Sequence, residues 1–210
     1  KKLTDGFVPH LMGLNQLEVL LVWGTQLTDT GLEGLASLKK LRHLNVGSTK
    51  VSDDGLAHVA RLTELEILGL GRDTRITNAG VKHLEKLTRL KSLDLEATQI
   101  TDDGLQHLQG LKDLETLGLQ STNIHGAGLV HLKGLSKLHD LRLDVSKLND
   151  DGLAQLKGLT NLTKLDLRKT HISDDGLKHL QGLARLDFLS LNGTKISGAG
   201  LVHLKDLPLL

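Results

Sequence analysis

Hydrophobic positions along the chain switch from one period to another and back about every 24 residues. In Leu162-Thr163-Lys164-Leu165-Asp166-Leu167, Leu165 and Leu167 point one way while Lys164 and Asp166 point the other, the period-two pattern of a half-buried strand. Leu177, Leu180 and Leu183 follow at steps of three, which places them along one face of a short helix. Ser173 stands at the N-cap of that helix, and Asp174 and Asp175 fall in its first turn, where a carboxylate favours exposed N–H groups and the positive dipole end. After the helices, Gly110, Gly134, Gly158 and Gly182 occupy positions suited to left-handed C-caps. Each unit is predicted to run strand, turn, short helix, return.

The units recur in register on a glycine column: Gly31, Gly55, Gly80, Gly104, Gly128, Gly152, Gly176 and Gly200, every step being 24 residues except one of 25. Eight full units run from Asn15 to Leu207 within a single domain spanning 1–210; Lys1 to Leu14 supplies the back part of another, and Pro208 to Leu210 the start of the next. One unit cannot bury its Leu face alone, so the units must stack, with strands about 4.8 Å apart in one parallel sheet. Helix axes need about 8–10 Å, so the stack bends with the sheet inside. Neither terminus carries the polar outer face that caps an isolated array, and the expectation is a piece of a longer protein or ends covered by a partner.

Composition narrows the picture further. The 210 residues include 52 Leu but only three aromatics, Phe7, Trp23 and Phe188, as expected when one small unit is used repeatedly. With 26 Lys+Arg against 25 Asp+Glu the formal charge is +1, which argues against a polyanion binder. No apolar run approaches the roughly 18 residues of a membrane span. The absence of Cys removes disulfides, zinc fingers and cysteine nucleophiles together.

The pattern L-x-x-L-x-L-x-x-T-x-I-T-D-x-G-L-x-x-L-x-x-L resembles a leucine-rich repeat, in a 24-residue class common in bacterial, notably planctomycete-type, proteins and related to F-box-associated repeats. The resemblance covers essentially the whole chain. It implies an α/β fold, a right-handed solenoid with its parallel sheet on the concave face and short helices on the convex face. Where the family has Asn after the strand, this chain has Thr25, Thr49, Thr74, Thr98, Thr122, Ser146, Thr170 and Thr194. A hydroxyl has one donor where an amide has two, so the Asn-type internal ladder does not carry over directly.

Repeated polar columns are first candidates for chemistry. His10, His58, His83, His107, His131, His179 and His203 share one helix position, but equivalent helix positions lie about 8–10 Å apart and a zinc ion needs nitrogens within about 2.1 Å. Each ring is therefore expected to pack on its helix flank against the next unit. The acidic column, Asp29, Asp53-Asp54, Asp102-Asp103, Asp150-Asp151 and Asp174-Asp175, always leads into a helix and is assigned to capping, with Lys133, Lys157 and Lys205 at the opposite ends. The recurring Gly implies an approach too close for a Cβ. No nucleophile elbow, metalloprotease helix or phosphate loop occurs, so neither catalysis, cofactor nor metal is expected.

Function is then expected where the units differ. The third, fifth and seventh residues from the first strand Leu leave on the concave side, and no two units carry the same set. An apolar first zone contains Val19, Leu21, Trp23 and Ile67, with His43 and Asn45 between them. A second, acidic to mixed, runs through Asp94, Glu96, Gln120, Asp140, Arg142 and Asp144; a third carries Lys164, Asp166, Arg168 and Lys169 and ends at Phe188 and Asn192. The extra residue of the 25-residue unit falls in Gly71-Arg72-Asp73-Thr74-Arg75, where it is expected to disturb the ladder and aim Arg72 and Asp73 outward. The expected partner is a protein bound along this face, with Trp23 and Phe188 as anchors. The alternatives are an apolar first zone packed under an N-terminal cap, a spacer self-associating through Phe7, Val8, Leu209 and Leu210, and a glycan receptor, for which one Trp and one inward Phe offer little stacking. Nucleic acid is disfavoured because Asp140, Asp144 and Asp166 interleave the basic residues.

Overall fold

A computed structural model of the chain describes residues 3–72 and 75–210. Eight three-residue strands, β1 (Val19–Leu21), β2 (His43–Asn45), β3 (Ile67–Gly69), β4 (Ser92–Asp94), β5 (Thr116–Gly118), β6 (Asp140–Arg142), β7 (Lys164–Asp166) and β8 (Phe188–Ser190), pair in chain order as one parallel sheet. We number the units after their strands. The central residue of every strand is Leu, and Leu20, Leu44, Leu68, Leu93, Leu117, Leu141, Leu165 and Leu189 stand opposite one another along the sheet. The chain is thus a right-handed solenoid, an open arc with the sheet on its concave face and short helices on its convex face.

Between sheet and helices runs one continuous core of Leu, Val and Ile, most of them wholly buried in units 2 to 7. Each such side chain contributes about 1.5–3 kcal/mol relative to exposure. Leu17 and Leu20 at one end and Leu189, Leu191, Ile196 and Leu204 at the other are only partly buried, because each has a neighbouring unit on one side.

The helices divide by type. Asp29–Leu35 and Asp53–Val59 are α-helices, whereas Asp102–Leu108, Ala127–Leu132, Asp174–Leu180 and Gly200–Leu204 are 3₁₀-helices. A step of three between leucines matches the three residues per turn of a 3₁₀-helix, so Leu177 and Leu180 eclipse and both reach the core.

Four local expectations need correction. Ser173 has N-cap backbone angles but makes no capping bond with its side chain, because its hydroxyl is taken by Asp150 of the preceding unit at 2.6 Å. Of the four glycines after the helices, Gly158 alone has positive φ, at 110°; Ser37 and Arg61 fill the equivalent places elsewhere, so no left-handed cap is required there. The left-handed position lies instead just before the Thr column, at Gly24, Ser48, Ala97, Ser121, Val145, Lys169 and Gly193. Finally, the insertion in unit 3 leaves the ladder intact on its described sides. Arg72 N–H donates to Glu96 O at 2.7 Å and Arg72 O accepts from Ser48 at 2.7 Å, while Asp73 and Thr74 lie outside the described residues.

The Thr column closes its own turn. Thr25, Thr49, Thr98, Thr122, Thr170 and Thr194 donate their hydroxyls to the carbonyl three residues back at 2.6–2.8 Å. One donor satisfies one carbonyl within a unit and leaves nothing for the next.

Candidate functional site: the concave face

Stacking fixes what the concave face can present, and the stack is joined by carboxylates. The first acid of each pair reaches the following unit rather than its own helix. Ser52 N–H and hydroxyl donate to the two oxygens of Asp29 at 2.7 and 2.6 Å, and Ser173 does the same to Asp150 at 2.8 and 2.6 Å. Asp5 holds Thr28, Asp53 holds Thr77 and Asp174 holds Ser197 in this way. Asn78 keeps the geometry with an amide, accepting from Thr101 N–H at 2.9 Å and donating to its hydroxyl at 2.8 Å. Capping within the unit was therefore the wrong assignment for this column. These bonds hold the Asp174 carboxyl below its ordinary range, the Ser197 hydroxyl and N–H being the largest causes.

The glycine column follows from the same struts. A Cβ on Gly104 would stand 2.6 Å from Asn78 Oδ1, and one on Gly55, Gly80, Gly176 or Gly200 would strike the carboxylate of the preceding unit. The close approach expected from sequence is present, with a side-chain carboxylate as the near neighbour in most units.

The repeated histidines sit on the helix flanks. His107 Nδ1 lies 2.5 Å from Glu85 Oε1 of the preceding unit, and no group of three or more metal-ligating side chains occurs among the described residues. No helix among them is long and apolar enough to cross a membrane.

On the concave face the variable side chains are presented outward from a rigid sheet. Val19 is 52% exposed, Leu21 59%, Trp23 56% and Phe188 50%, large values for apolar groups. Ile67 is exposed less, and His43 is half-buried. Asn45 folds down, its Oδ1 accepting from Gly47 N–H at 3.0 Å and its amide covering Gly69. Trp23 lies over Gly47, where a Cβ would come 3.0 Å from its ring. Of the end residues named for self-association, Leu209 and Leu210 are exposed but Val8 is buried and Phe7 packs against the core, because the first helix folds them onto unit 1.

Charge on this face is largely satisfied from within. Arg142 makes a two-pronged contact with Asp140, at 3.2 and 2.9 Å. Arg168 lies 2.7 Å from Asp166 and 3.4 Å from Asp144, and Arg72 is 3.1 Å from Glu96. Lys164 is exposed with no acidic partner among the described residues. Asp94 sits between Gly69 and Gly118 in register, and burial pushes its carboxyl above the ordinary range against the opposing bond from Glu96 N–H. Burial does the same to Asp144.

Gln120, Asp140, Arg142, Asp144, Lys164, Asp166, Arg168 and Phe188 surround a hollow of about 390 Å³ on this face. At its floor Gln120 Oε1 and Asp144 Oδ1 are buried without a donor among the described residues. An unmet buried acceptor costs about 1–3 kcal/mol, so the hollow is disposed to receive hydrogen-bond donors. Sequence placed the eight lining residues on one face but could not show that two of its arginines are already clamped by aspartates. Asn192, the last of the expected contacts, is exposed beyond the hollow.

A right-handed parallel solenoid with this repeat is the architecture of leucine-rich repeat proteins. The leucine-rich repeat region family matches residues 7–197, and the chain belongs to that family. Internalin C2 from Listeria monocytogenes is 28% identical with a TM-score of 0.77, over 96% of this chain and 88% of that one. A leucine-rich repeat protein of Leptospira interrogans is 23% identical with a TM-score of 0.72, over 94% of this chain and 48% of its own. A plant peptide hormone receptor in complex with RGF2 is 19% identical with a TM-score of 0.63, over 89% of this chain and 30% of its own. The last two show the fold alone. No curated protein matches the chain. Leucine-rich repeat regions serve in general as protein-interaction modules.

Proposed function

We propose that the chain is a non-enzymatic module that binds a protein partner along its concave sheet. The observation that carries this is the division of labour between positions: the shared residues are buried in the stack, while unshared Val19, Leu21, Trp23, Lys164 and Phe188 remain exposed. Trp and Phe held on a rigid sheet are efficient anchors, since little side-chain freedom is lost when a partner covers them. Around the hollow of units 5 to 8 the partner presents donors to Gln120 and Asp144 and an acidic group to Lys164. A wide arc gives no water-excluding pocket for catalysis.

The test is an alanine scan against a partner purified on the parent chain. Trp23→Ala, Lys164→Ala and Phe188→Ala are each expected to weaken affinity by about tenfold. Affinity unchanged at all three, with loss at convex-face Lys82, would move the surface to the helices. A second reading, end-to-end assembly through the exposed Leu209 and Leu210, requires sedimentation to rise with concentration.

A further inference from the structure

Along the flank where the chain enters each strand, charge alternates from unit to unit. Unit 2 carries Lys40 and Arg42, unit 3 Glu64 and Glu66, unit 4 Arg89 and Lys91, unit 5 Asp113 and Glu115, and unit 6 Lys137 and His139. Opposite signs meet across the steps. Arg42 lies 2.6 Å from Glu66, Lys91 2.8 Å from the same carboxylate, and Lys137 2.7 Å from Asp113; Arg89 pairs with Glu64.

The alternation calls for acids in unit 7, but Asn161 and Thr163 stand there. Beyond them, Arg185 of unit 8 is exposed and has no acidic partner among the described residues. At this gap the surface opens into a hollow of about 480 Å³, with Lys137, His139, Asn161 and Arg185 in its wall. Asn161 spends its amide on Ser136 O at 2.7 Å, which leaves its oxygen facing no positive group of its own. Glu115, also in the wall, is the one acid there.

We propose that this hollow is an interaction site, separate from the concave face, for an acidic segment of a protein partner, whose carboxylate takes the place the missing acid of unit 7 would hold between Lys137 and Arg185. The commitment to an acidic occupant rests on the sign of the gap: the rungs on both sides of unit 7 present cations across it. An internal acid would close it, as Asp113 does for Lys137.

The probe is fluorescein-labelled hexaglutamate, titrated into the intact chain at low ionic strength, where exposed pairs are least screened. Arg185→Ala is expected to weaken binding about threefold, in line with one exposed ion pair. Asn161→Asp, which supplies the rung from within, is expected to weaken it about tenfold because it also repels the probe. Amide shifts in the parent should centre on residues 137–139, 161 and 185. Unchanged affinity in Asn161→Asp, or shifts centred on the concave face with binding abolished by Lys164→Ala, would overturn the proposal. The second outcome leaves the concave reading standing, and loss of the concave anchors without effect on hexaglutamate leaves this one standing.

Discussion

The junction between units 6 and 7 and the junction between units 5 and 6 solve one problem in two ways. At the first, Asp150 bridges to Ser173 with two hydrogen bonds, and Gly176 makes room for the carboxylate. At the second, Gly126 stands where the bridging acid would be, with φ of 119°, and its Cα lies so close to Gly152 that a Cβ would meet the backbone. There Asp102 accepts from the N–H groups of His125, Gly126 and Gly128 at 3.0, 2.9 and 2.8 Å, and Asn149 caps its own helix through Gly152 N–H at 2.9 Å. A strutted step tolerates an amide in place of the acid, as Asn78 shows; a backbone-to-backbone step tolerates no side chain at all.

The contrast breaks most sharply at Gly126. Gly126→Val places a β-branched side chain in a left-handed conformation against backbone, and is expected to cost about 3 kcal/mol or more, lowering Tm by roughly 10 °C in a chain of this size. A melt equal to the parent's would mean the glycine junction is not tight. Next comes Asp150→Ala, which strands the Ser173 N–H and hydroxyl; a loss of about 2 kcal/mol in urea unfolding is expected. Asp150→Asn, which can copy the Asn78 arrangement, should recover most of that loss. If Asn and Ala prove equally damaging, the strut is not what joins the units.

Smaller effects sharpen the comparison elsewhere. Val145, a β-branched residue at φ of 58°, is strained, so Val145→Gly is expected to stabilise by about 1 kcal/mol in the same unfolding experiment. The smallest effect belongs to Asp94. Its native carboxyl is raised, so the native state favours the proton: the contribution is fully present below the ordinary carboxylate range and is lost as pH rises through the raised value. Asp94→Asn is therefore expected to raise Tm slightly at neutral pH and to leave it unchanged in acid, since the amide oxygen still accepts from Glu96 N–H. A neutral-pH melt below the parent's would contradict the assignment of burial as the dominant cause.

Legibility followed periodicity. The strand alternation around Leu165 and the glycine column specified the parallel sheet, its register and its buried rows, because every copy repeats the same inward leucines. The struts escaped notice because Asp174 beside a helix start looks the same whether it serves Ser173's helix or the next unit. The available signal was a Ser or Thr 23 or 24 residues after each bridging acid, as in Asp53 and Thr77. The left-handed position was hidden by its occupants, since Ser, Ala, Val and Lys carry no mark of positive φ. On the concave face the side chains could be placed on one surface from spacing alone. Their mutual pairing, Arg168 with Asp144 and Asp166, depends on rotamers that no period encodes.

Amide hydrogen exchange at the helix starts tests the joining of the units most directly. If carboxylates bridge forward, the N–H groups of Ser52, Thr77, Thr101 and Ser173 are protected, and that of Asp175, which meets no acceptor among the described residues, exchanges freely. Protection at Asp175 with rapid exchange at Ser173 would mean that each acid caps its own helix and that the stack is held by the leucines alone.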